Sequence, residues 1–162
     1  MPNWCSNRAT ITGPAPVIKE IIEVLNQDDS PLLQWMVPRP GAEEDWYSWN
    51  IQNWGTKWDF GLEIVERVDA NTVTASFDSA WAPPVNAYEK LCAMGFEIEA
   101  FYYEPGMGFV GKFTGNEEDC DDDCYDYSGQ TSDTVREYIG EELDDMFSIS
   151  EDMAQYEEEN DE

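Results

Sequence analysis

Apolar residues in the first 116 positions of this chain switch between two periods, and the order of the switches leaves few folds open. Arg8-Ala-Thr-Ile-Thr12 alternates and is closed by Gly13-Pro14, the pattern of a short strand. Val17, Ile18, Ile21, Ile22 and Leu25 then recur at helical spacing, and that helix stops near Asn26, ahead of Asp28-Asp29-Ser30-Pro31. Leu62 to Val68 and Thr72 to Asp78 read as two strands of a hairpin turning at Asp69-Ala-Asn71. Pro83-Pro84 opens a second helix with Val85, Tyr88, Leu91 and Cys92 on one face and Gly95 as its C′ residue. Phe96 to Tyr103 and Met107 to Phe113 supply two more strands about the turn Glu104-Pro-Gly106. The order is β-α-β-β-α-β with one strand added. It predicts an α+β, ferredoxin-like antiparallel sheet with two helices on one face.

One long interruption spans residues 31–59. Trp46-Tyr-Ser-Trp-Asn-Ile-Gln-Asn-Trp-Gly-Thr-Lys-Trp58 places four tryptophans in it. Long loops in compact domains are often functional, so Trp49, Trp54, Lys57 and Trp58 form a candidate aromatic site. The competing reading, which we favour here, is that the rings pack against the sheet, since Trp dominates core energetics. Trp81 is expected to join them, with Lys57 and Asp59 paired at the loop mouth.

Charge divides the chain at Asn116. Residues 1–116 hold 16 acids and 7 bases, whereas residues 117–162 hold 20 acids and only Arg136. The total of −28 repels nucleic acid and anionic lipid and favours a basic protein partner, although it would also serve solubility alone. The chain contains no histidine, which removes the usual general base and the commonest metal ligand, so a binding role is expected rather than an enzyme. No run of apolar residues is long enough to span a membrane, and the opening residues lack a secretion signal. A cytoplasmic location follows as an expectation.

The acidic part reads as a C-terminal extension, residues 117–162. Val135, Ile139, Leu143 and Met146 predict an amphipathic helix over about 132–147, continuing as far as 156, with Thr134 and Glu137 as a capping box and a frayed tail. Cys120 and Cys124 form one close pair where structural zinc wants two, and no histidine completes the set. Asp119, Asp121 and Asp123 match the start of a calcium loop, but Cys124 and Gln130 stand where Gly and Glu are required. A looser cation site stays open, yet no cofactor or metal is assigned. A reducing cytoplasm favours free thiols over a Cys120–Cys124 disulfide. Cys5 reads as a packing residue, its thiol protonated without a neighbouring base, and Asn3 and Trp4 as packing and capping residues.

Five short motifs occur in order: Met1-Pro-Asn-Trp-Cys-Ser-Asn7, Trp46-Tyr-Ser-Trp49, Asn53-Trp-Gly-Thr-Lys-Trp-Asp59, Ala80-Trp-Ala-Pro-Pro84 and Tyr103-Glu-Pro-Gly106. Together they resemble a family of small phage- and plasmid-encoded proteins described as ferredoxin-like domains of unknown function. The resemblance spans about residues 1–116. It implies the same fold and a mobile-element origin in bacteria, and it brings no catalytic residues. The chain departs from the family's pattern in its acidic C-terminal part.

The acids therefore carry the functional expectation. Eight acids between Thr131 and Tyr156 amount to one carboxylate per roughly 5 Å of helix, against one phosphate per ~1.7 Å of duplex axis. Laying Glu117 to Asp126 beside the helix raises the density toward that of a phosphate backbone. Glu117, Glu118, Asp119, Asp121, Asp122, Asp123, Asp126, Glu137, Glu141, Glu142, Asp144 and Asp145 are the expected partner-binding residues. They would act as a DNA mimic against a basic host protein such as a defence nuclease. The alternatives are an adaptor that uses the tryptophan insertion, and a small-ligand binder or enzyme around Lys57 and Asp59.

Overall fold

The computed structural model describes residues 4–25, 33, 37, 46–56 and 62–160. Its strands are β1 (Trp4–Thr12), β2 (Leu62–Asp69), β3 (Thr72–Ala80), β4 (Glu97–Glu104), β5 (Phe109–Gly115) and β6 (Cys120–Asp126). Its helices are α1 (Ala15–Leu25), α2 (Trp46–Asn53), α3 (Val85–Ala93), α4 (Val135–Ile139), α5 (Glu141–Phe147) and α6 (Ile149–Asn160). The strands form one antiparallel sheet in the order β2-β3-β1-β4-β5-β6. The run β2-β3-β1-β4 is the ferredoxin-like core read from the sequence, and β5 and β6 extend it on one side.

Period-two alternation builds two cores on opposite faces. On the front face Ala9, Ile11, Val73, Ala75, Phe77 and Ala100 meet Ile18 and Ile21 of α1 and Tyr88 and Leu91 of α3. On the back face Phe101 and Val110 meet Val135, Ile139, Leu143 and Ile149 of the C-terminal helices, with Tyr103, Tyr125, Met146, Phe147 and Met153 around them. Gly95, at φ +102, ends α3 where the sequence placed its C′ glycine.

Four local readings differ from the structure. The acidic stretch read as the start of an extension is β6, paired with β5 from Gly115↔Cys120 to Phe109↔Asp126, so the sheet runs through the compositional border at Asn116. The expected single helix is three, because Gly140 takes φ +95 and Ser148 φ +55. Thr134 makes no cap bond; its Oγ1 accepts from the Thr131 N–H at 2.9 Å, so the expected capping box is absent. Within the insertion, residues 46–53 form α2 rather than irregular chain. Lys57, Trp58 and Asp59 lie outside the described residues.

Candidate interaction surface

Aspartate is a poor strand former, and β6 exists because its cost is low at an edge where both faces reach water. The Asn116 side chain starts it. Its Oδ1 accepts from the Glu118 and Asp119 N–H groups at 2.8 and 3.0 Å, an Asx turn that reverses the chain out of β5. At the far end Asp126 Oδ1 accepts from the Ser128 N–H at 3.0 Å. Between these ends Asp121 and Asp123 face the back of the sheet and Asp122 and Asp126 the front.

On the front face, β6 borders a cleft of about 980 Å³. Tyr102 and Phe109 form its floor, Trp81, Pro83 and Ile51 its far wall, and Asp122, Cys124 and Asp126 its rim. Tyr102 Oη donates to Asp122 Oδ1 at 2.6 Å, passing over Gly111, the residue between them in the sheet. Partial burial pushes the Asp122 carboxyl up; the Tyr102 hydroxyl draws it back, and Asp123 and Asp121 raise it again. Trp81 holds φ +71, a left-handed backbone that a bulky residue rarely adopts, and its ring meets Tyr47 edge-on at 6.2 Å.

The acids proposed from the sequence divide into two groups. Glu117, Glu118, Asp119, Asp121, Asp122, Asp123, Asp126, Glu137, Glu141, Glu142 and Asp145 are exposed. Some of these already meet cations: Glu142 pairs with Lys112 at 2.9 Å, and Asp145 and Glu141 pair with Arg136 at 2.7 and 3.8 Å. Asp144 is not on the surface at all. It is 3% exposed and accepts from Ser150 N and Oγ and from Arg136 Nη1 at 2.6, 2.7 and 2.9 Å. Burial alone would raise its carboxyl, and these bonds outweigh burial and hold it below the ordinary carboxylate value. Of the acids expected to bind, those without an ion pair thus lie on β6 and the loop before it, apart from Glu137 on α4.

The tryptophans also separate. Trp54 is buried in the front core, donates from Nε1 to Val37 O at 2.9 Å, and meets Trp49 edge-on at 5.5 Å. Both pack, so the candidate aromatic site is not assembled at these two positions. Trp81 meets the insertion through Tyr47 and also stands on the cleft wall, and Trp4 is exposed rather than packed.

Cys5 is buried, and burial pushes its thiol up, as a packing cysteine requires. All four cysteines are free. Cys120 and Cys124 are four strand residues apart, about 13 Å, beyond the ~7 Å limit for a disulfide. Cys120 instead neighbours Cys92 across Gly115, and burial and that neighbour push the Cys92 thiol up to about 12. Among the described residues no group of three His, Cys, Asp or Glu is arranged to hold a metal, and no helix is long and apolar enough to cross a membrane.

A family model described as the ferredoxin-like domain in Api92-like protein matches residues 53–161. The match takes in the acidic part that the sequence motifs left out. The fold is similar to that of the crystal structure of a protein api92 from Yersinia pseudotuberculosis. The two share a TM-score of 0.58 and 12% identity over 77% of this chain and 98% of the other. No curated protein matches the chain.

Proposed function

Since the chain belongs to the family of ferredoxin-like domains in Api92-like proteins, we propose that it is a binding protein that occupies the nucleic-acid site of a basic partner. The observation that carries this reading is the acidic edge. β6 sets four carboxylates along seven residues, about 23 Å, on both faces of one strand, and Glu117, Glu118 and Asp119 precede it. Carboxylates so placed meet the Lys and Arg that otherwise hold phosphates. The finer reading is that of a phage- or plasmid-encoded inhibitor acting in the bacterial cytoplasm on a nuclease or another nucleic-acid-handling defence protein. It acts by binding, not by catalysis.

The test is capture from a bacterial host lysate, compared with a variant in which Asp121, Asp123 and Asp126 become Asn and Glu117 and Glu118 become Gln. A partner that elutes at moderate salt, is displaced by duplex DNA and is lost on the variant supports the reading. Capture that is indifferent to salt and to the variant removes it.

A further inference from the structure

Among the described residues β6 is the last strand of the sheet on its side, and the register fixes which of its backbone groups face outward. The Asn116 N–H donates to Asp119 O at 2.9 Å, and the Tyr127 N–H donates to Gly108 O at 2.9 Å. These two bonds bracket the β5–β6 ladder. Bonded and non-bonded pairs alternate in an antiparallel ladder, so Asp121, Asp123 and Tyr125 turn their N–H and C=O groups toward β5. Cys120, Asp122, Cys124 and Asp126 turn theirs outward. The side chains of the last three line the rim of the cleft.

We propose that β6 receives an extended basic segment of the partner as a seventh strand, with Lys or Arg side chains of that segment seated over the cleft rim. The unpaired edge and the cleft make the dock, and the charges select the occupant. A second copy of β6 would set aspartate against aspartate on both faces, which opposes pairing between copies. A basic strand turns the same contacts into opposite-charge pairs. The cleft suits such side chains. Phe109 and Trp81 offer ring surface to a cationic stem and head, and Asp122 and Asp126 stand at its mouth. Backbone bonds along the edge then supply affinity, and alternate side chains supply specificity.

This inference rests on the proposal that the acidic side engages a basic partner, and one experiment separates the two. The full chain is titrated with a peptide alternating lysine and valine, matched in length to β6, and with the same peptide N-methylated on every second residue. Amide exchange is followed by NMR. The expected result is joint protection of the Cys120, Asp122, Cys124 and Asp126 N–H groups. Methylation on the pairing edge should weaken binding by roughly tenfold or more. Equal binding of both peptides with those four amides unprotected overturns the added strand and leaves the acidic surface standing. Failure of both peptides to bind at low salt overturns both.

Discussion

Tyr102 on β4 and Asp122 on β6 are joined at 2.6 Å across a strand that neither belongs to. Gly111 makes the crossing possible, because a Cβ there would run into Tyr102 Oη and Cζ and the Asp123 carbonyl oxygen. Gly111→Ala should therefore detach the tyrosine from Asp122 and cost about 1–3 kcal/mol by overpacking. Tyr102→Phe, which removes only the hydroxyl, should cost roughly 1 kcal/mol. Urea unfolding of both variants checks the ranking.

Asp122 also sets a pH dependence. Its carboxyl lies above the ordinary value, through burial first and then through Asp123 and Asp121, against the opposing Tyr102 bond. A raised acid favours the fold when protonated. Its contribution is complete below the unfolded carboxylate range and is lost as pH rises through the folded value. Asp122→Asn should match the wild type in acid and exceed it in stability at neutral pH. Unfolding midpoints measured across that range test the sign, and a variant less stable at neutral pH refutes it.

Glu104 is 1% exposed and closes the β4–β5 turn, accepting from the Gly106 and Met107 N–H groups at 2.9 and 2.6 Å. Glu104→Ala strands both donors, at a cost of about 2–4 kcal/mol. At this chain length that corresponds to a fall of roughly 5–15 °C in Tm. Glu104→Gln keeps one acceptor and should lose about half as much. Calorimetry of the three proteins settles the order.

Asp144 ties α5 to the start of α6 through Ser150 and to α4 through Arg136. Its carboxyl is held low, so its contribution is present above the unfolded carboxylate range and is lost as pH falls through the folded value. Asp144→Ala should cost about 2–3 kcal/mol at neutral pH. Amide exchange should rise first in α6. Equal exchange in α6 and the sheet would count against this role.

Trp54 and Trp81 should behave as opposites. Trp54→Ala empties a core site and should cost about 3–5 kcal/mol. Trp81→Gly loses an edge contact worth ~0.5–1.5 kcal/mol but relieves a left-handed backbone worth ~1–2 kcal/mol, so its stability should stay near the wild type's. Denaturant midpoints measured side by side distinguish the two positions.

The central sheet and its two front helices were legible because Ile18, Ile21, Tyr88 and Leu91 and the alternating strands write their burial into the period of the chain. β6 was not legible. Its residues between Cys120 and Cys124 show no apolar alternation, and it is a strand only because β5 offers a ladder. The burial of Asp144 was hidden for a related reason. It sits beside an exposed aspartate in an acidic run, and its partner Ser150 lies beyond the left-handed joint at Ser148, where helical periodicity no longer applies. Trp49 and Trp54 could be weighed as rings, but composition could not separate them from Trp81.

Ala100 and Phe101 are neighbours in the chain, yet one faces the core under α1 and α3 and the other the core under α4 to α6. The backbone of β4 is thus a party wall, and neither side can be dismantled without exposing the other. The acidic third of the molecule is consequently no detachable cassette. A truncation at the compositional border would strip Phe101 and Val110 of their cover and turn a buried sheet face into an exposed apolar patch.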